Sequence, residues 1–213
     1  MQILINGLIS GSAIALLALA FQIVYLPTRV FFIAMGGLYS VAPYLAQAVF
    51  NSGTVGILPA VFMAVIGVVG LSVLCEWVNH GPLARRNASD GAQLVTSLGI
   101  YILIVQVIAM IWGNETKTLQ TGLDMATKIG EDIVVTGAQW VILITSIAFI
   151  GGFALFLNDL AFDLRLGALS DNSNQSALFG YNVGYHQRLV FGHCGLFVST
   201  NSLVSAYIID YDP

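Results

Sequence analysis

Six apolar runs, each about 20 residues long, constrain this chain more than anything else in it. A hydrocarbon core of about 30 Å takes about 20 residues of helix at 1.5 Å per residue. The runs cover 3–25, 30–50, 55–78, 93–112, 138–157 and 189–209. They are continuous rather than alternating, which favours helices over a closed barrel as the way to satisfy the backbone in lipid. The expected fold is all-α, a polytopic transmembrane bundle of about six spans in one domain, 1–213. Composition agrees, because only 8% of residues are charged, against about 25% in a soluble domain. No basic segment precedes the first run and no small-residue cleavage site ends it, so it reads as a retained helix rather than a signal peptide.

Charge sets the expected orientation. The seven Lys and Arg residues divide into Arg29, Arg85, Arg86, Arg165 and Arg188 in one set of loops, and Lys117 and Lys128 in the other. The positive-inside rule puts the arginine loops in the cytoplasm, both termini outside, and the polar segment 158–188 inside. The formal net charge is −4 and there is no basic stripe, so nucleic acid is not an expected partner. Cys75 and Cys194 lie in apolar runs and read as small buried hydrophobes. With His80, His186 and His193 they form no metal-ligand spacing, and neither metal nor cofactor is expected. There is no P-loop and no dinucleotide fingerprint, so this chain is not expected to hydrolyse ATP or to be an enzyme. His193 with Ser199 or Ser202 lacks the glycine-rich nucleophile turn on a separate helix that a serine hydrolase needs.

Polar residues inside the runs have two readings. Asn6, Gly7, Ser10, Gly11 and Ser12 fall within run one, with Gly7, Gly11 and Ala15 at four-residue spacing on one face. Thr96, Ser97 and Gln106 fall in run four, and Ser199, Thr200, Asn201, Ser202 and Ser205 in run six. Such residues either seal helices together or line a polar path. Glu76 lies near the cytoplasmic end of run three, where it is expected to reach the interface. No run carries a charge near its middle, which argues against a proton-coupled pump or a voltage sensor.

Several segments share a pattern. Asn6-Gly7-Leu8-Ile9-Ser10-Gly11-Ser12 opens the chain, followed by Phe32-Ile33-Ala34-Met35-Gly36, Pro82-Leu83 with its arginines, Leu94-Val95-Thr96-Ser97-Leu98-Gly99, Trp112-Gly113, and Leu166 through Val183. In order and spacing the chain resembles the membrane-spanning permeases of branched-chain amino acid ABC importers, a family that includes urea and short-amide permeases. The resemblance implies transport of branched-chain amino acids or related small polar solutes across a bacterial-type plasma (inner) membrane. It implies cytoplasmic ABC ATPase subunits, a second permease subunit and a periplasmic or extracellular solute-binding protein as partners. It also implies an ATPase-docking helix in 158–188, carried by Leu166, Leu169, Asn174, Gln175, Ser176, Leu178, Phe179 and Gly180. Asn174-Gln175-Ser176 stands where the family often has Glu-Ala-Ala, and Met35 where it has His. The chain is therefore expected to be a divergent, C-terminally truncated member. An ATP-independent channel or facilitator, and a non-transporting (degenerate) scaffold subunit, remain alternatives.

Overall fold

The computed structural model of the chain describes residues 2–53, 56–86, 88–113, 126–128, 134–157 and 182–206. In chain order the elements are α1 (Gln2–Thr28), α2 (Met35–Asn51), α3 (Ile57–Cys75), a π-helical turn (Glu76–His80), α4 (Gly81–Arg85), α5 (Asp90–Trp112), β1 (Ala126–Lys128), β2 (Val134–Thr136), α6 (Gly137–Leu157) and α7 (Val183–Ser205). The strands form one small antiparallel pair, Ala126 opposite Thr136. The architecture is an all-α membrane bundle.

Among the described residues, four segments are long and apolar enough to cross a membrane: Gln2–Thr28, Ile57–Arg85, Asp90–Trp112 and Gly137–Leu155. Only 17–22% of the most apolar window of each is buried, so their hydrophobic surface points outward. Ile3 is 87% exposed and Met110 84%. Apolar surface on this scale is what lipid, rather than water, accommodates. The two other long helices among the described residues sit inside. Helix α2 packs on α3, α5 and α7, and α7 packs on α1, α2, α3 and α6. Tyr44, Phe32, Phe191, Leu16 and Leu38 are the largest fully buried side chains of this core, which also holds Cys75 and Cys194.

Helix boundaries differ from the hydropathy runs where backbone chemistry decides. The second helix begins at Met35, not Val30. Arg29 has a left-handed backbone, φ +56°, and its N–H still donates to the Tyr25 carbonyl at 2.9 Å. The Thr28 hydroxyl donates to the Val24 carbonyl and accepts the Val30 N–H at 3.2 Å. This closes α1, and the chain reaches α2 through a short irregular connection. Helix α7 begins at Val183, six residues ahead of its apolar run, because the Asn182 side chain caps it by accepting the Tyr185 N–H at 3.1 Å. Arg188 therefore belongs to α7 rather than to the preceding polar segment. The third rod continues to Arg85, past the end of its run, through the π-helical turn. Pro82 has no N–H to give, and just before it the Gly81 N–H reaches back five residues to the Glu76 carbonyl.

Close approach of α7 to α3 rests on Gly195. A Cβ there would lie 2.9 Å from the Ser72 Cβ and 3.0 Å from the Val69 Cα. At Gly192 it would meet only the Val73 Cγ2, at 3.6 Å. We expect Gly195→Val to destabilise the bundle by about 1–3 kcal/mol through overpacking, while Gly192→Ala stays near wild type. Thermal melts of the two variants in detergent check the contrast.

Candidate functional site

The polar face of α7 is turned into the bundle. Asn201 is 3% exposed, and its Nδ2 donates to the Ala13 carbonyl of α1 at 3.1 Å. The Ser202 hydroxyl donates to the Tyr39 carbonyl of α2. In the other direction, the Ser72 hydroxyl of α3 donates to the Phe191 carbonyl of α7 at 2.7 Å. Ser199 and Thr200 instead donate to the Leu196 carbonyl of their own helix, at 3.1 and 2.8 Å. Such local back-bonding satisfies a hydroxyl without a partner helix.

A second group of polar contacts surrounds the π-helical turn, which reaches α5 through Asn79 and α7 through Glu76. Ser97 is buried on α5 and its hydroxyl accepts the Ala34 N–H at 3.0 Å, which anchors the entry to α2. Thr96 bonds back to the Ala92 and Gln93 carbonyls, both at 3.0 Å, and accepts from Asn79 Nδ2 at 3.3 Å. Glu76 is 4% exposed, which corrects the expectation that it reaches the interface. The π-helical turn rotates it inward, with its Oε1 beside Gly81 and its Oε2 3.9 Å from Arg188 Nε. The buried His80 ring stands edge-on to Phe32 and tilted against Phe191, with centroids 5.4 Å from each. Neither of its nitrogens has a hydrogen-bond partner among the described residues.

The remaining candidates are scattered. Asn6, Gly7, Ser10 and Gly11 lie on the exposed side of α1, and nothing would come within 4 Å of a Cβ at either glycine. Asn6 accepts from Gln2 Nε2 at 3.3 Å, and Ser12 donates to the Ile9 carbonyl at 2.7 Å. Gln106 is exposed on α5. The structure thus joins Asn201 to α1 and Ser97 to the start of α2, but it does not gather these residues into one lining. Leu166, Leu169, Asn174, Gln175, Ser176, Leu178, Phe179 and Gly180 lie outside the described residues. Among the described residues no three His, Cys, Asp or Glu side chains converge on a metal position. Ser72, His80 and the Glu76–Arg188 pair did not stand out in the sequence. The available signal was opposite charge at the same expected end of runs three and six.

Outward apolar helices wrapped around a pair of inner helices, with the inner polar groups bonded across the bundle, define a polytopic integral membrane protein. The chain belongs to the family described as branched-chain amino acid transport system / permease component, which matches residues 3–198. It is similar to the "Probable branched-chain amino acid transport permease protein LivH" of Methanocaldococcus jannaschii, 26% identical over 191 residues. That match covers 85% of this chain and 58% of the relative, so the chain spans under two thirds of that protein's length. No solved structure matches it.

Removing the Ser97 hydroxyl leaves the fully buried Ala34 without the acceptor for its N–H. We expect Ser97→Ala to cost about 1–3 kcal/mol, the penalty of an orphaned buried donor. Ser97→Thr, which keeps the hydroxyl, should recover most of the loss in the same melting assay.

Proposed function

We propose that this chain is a membrane-spanning permease subunit of an ATP-binding cassette importer for branched-chain amino acids or related small polar solutes such as urea or amides. The observation that carries this reading is the family match over residues 3–198, which takes in α1 to α6 and most of α7. The name of the archaeal relative points to the same substrate class. ATP hydrolysis falls to separate cytoplasmic ATPase subunits, and a solute-binding protein outside delivers the substrate. A second permease subunit completes the path in the plasma membrane. The open polar side of α1, with Asn6, Gly7, Ser10 and Gly11, is the part of this chain best suited to line it.

Orientation follows from charge and placement. Arg85 and Arg188 both approach Gly184, so the ends of α4 and α7 that carry them lie together. Phe32, three residues past Arg29, packs on His80 and brings the α1–α2 connection to that same end. In the proposed topology this end faces the cytoplasm, and the segment that feeds α7 docks on the ATPase through Leu178 and Phe179.

Co-purification with a cytoplasmic ATPase tests the reading. Wild type should retain the ATPase, and Leu178→Asp combined with Phe179→Asp should lose it while the chain still inserts. Retention by the double variant would overturn the docking assignment. A cysteine placed at Lys117 should be labelled from outside intact cells; labelling only after permeabilisation would invert the topology.

A further inference from the structure

An apolar groove of about 490 Å³ lies between α3 and α7 on the outside of the bundle. Val69 and Val73 form one wall and Leu189, Gly192 and Leu196 the other, with Tyr185 and Arg188 at one end. From Arg188 to Leu196 the groove follows α7 for about 12 Å at 1.5 Å per residue. A second groove, about 330 Å³, runs between α6 and α7 and shares the ridge made by His193 and Leu196. Both open toward the surface that the apolar helices turn to the membrane.

The polar end of the first groove is electropositive. A Cβ at Gly184 would lie 3.5 Å from an Arg188 Nη and 3.9 Å from an Arg85 Nη, so two guanidinium groups converge on a bare backbone position. Arg188 Nε donates to the Gly184 carbonyl at 3.0 Å and faces Glu76 Oε2 at 3.9 Å. Its Nη groups have no hydrogen-bond or ion-pair partner among the described residues, and the same holds for Arg85. Two arginines therefore stand against one buried carboxylate, beside the N-terminal end of α7, where the helix dipole adds positive potential.

We propose that this groove binds an anionic phospholipid, with an acyl chain along Val69, Val73, Leu189 and Leu196 and the phosphate on Arg85 and Arg188. The groove across the His193–Leu196 ridge accepts the second chain. Basic pockets between membrane helices suit anionic headgroups for this reason. A second copy of the chain is a poorer occupant. Two copies inserted in the same direction meet at equal depth, so a two-fold contact here sets arginine against arginine. The site requires membrane insertion alone and is independent of what the protein transports.

Native mass spectrometry of the full chain in detergent, titrated with phosphatidylglycerol or phosphatidylcholine, tests the proposal. Phosphatidylglycerol should be retained preferentially. Arg85→Gln, at an exposed residue outside the ion pair, should weaken its retention roughly fivefold, in keeping with one basic contact at a membrane surface. Arg85→Lys should restore most of it. Val73→Phe, which fills the groove, should weaken retention of both lipids. Equal retention of the two lipids, or no effect of Arg85→Gln, would overturn the assignment. So would displacement of phosphatidylglycerol by inorganic phosphate, which means an anion site without a chain. A Val73→Phe variant that changes oligomeric state and leaves lipid retention intact would show instead that protein covers the groove.

Discussion

An amide or hydroxyl held inside a bilayer finds its hydrogen bond in protein or goes without, and the placement of α7 follows from that constraint. Its Asn201 donates to a carbonyl of α1, its Ser202 to a carbonyl of α2, and its own Phe191 carbonyl receives Ser72 of α3. Each acceptor is a backbone carbonyl with a second lone pair to offer, so the bonds form without dismantling the helices. Singly such bonds are weak, averaging about 0.6 kcal/mol in a membrane protein. Their effect comes from the alternative. Turned toward lipid, Ser202 could bond back to its own helix as Ser199 and Thr200 do, but the Asn201 amide would be left unsatisfied, which favours a rotation of α7 that buries it.

Small residues make that burial geometrically possible. Helices in lipid gain nothing from hydrophobic burial against one another, so van der Waals contact must bring them close. Gly195 lets α7 meet the backbone of α3, and Gly37 does the same for α2 against Ile104 of α5, where a Cβ would lie 3.1 Å from the Ile104 Cβ. The fully buried Ala60 and Ala64 continue the small face of α3. The bonds and the small faces reinforce each other, because an interhelical hydrogen bond forms only between backbones that already lie close.

The all-helical membrane fold was legible from hydropathy alone, since apolar length is a property of composition. What hydropathy could not place are features set by single backbone groups. The start of α2 depends on the left-handed Arg29 and on Ser97, which is 63 positions further along the chain from Ala34. The start of α7 depends on the Asn182 cap, in a stretch whose Tyr185, His186 and Arg188 lower the apolar average. The polar candidates were recognisable as polar, but not as partners. Asn201 and Ala13 lie 188 positions apart, and no periodicity within one helix reports a contact with another. Gly7 and Gly11 show the converse. Their spacing is that of a packing seam, yet among the described residues nothing packs on them.

The rotational setting of α7 is fixed by three kinds of chemistry at once. Arg188, Gly195 and Ser202 are spaced by seven residues, which leaves them within about 20° per step of a common helical face. The first meets the Glu76 carboxylate, the second the backbone of α3, and the third the Tyr39 carbonyl of α2. The pair is one-sided, with a buried carboxylate 3.9 Å from a half-exposed guanidinium, so it adds little net stability, but a buried carboxylate left without a nearby cation is costly. Glu76 therefore acts mainly as a constraint: any turn of α7 that draws Arg188 away removes the nearest cation from a carboxylate that is 4% exposed and leaves it only Arg85. The same turn would push a side chain into the space at Gly195 and break the Ser202 bond. Charge, steric fit and hydrogen bonding select one orientation, and agreement of independent terms of this kind is what makes a sequence specify a single packing. That orientation leaves Val69, Val73, Leu189 and Leu196 lining an open groove on the outer side, so the surface offered to lipid is a consequence of how the interior is satisfied.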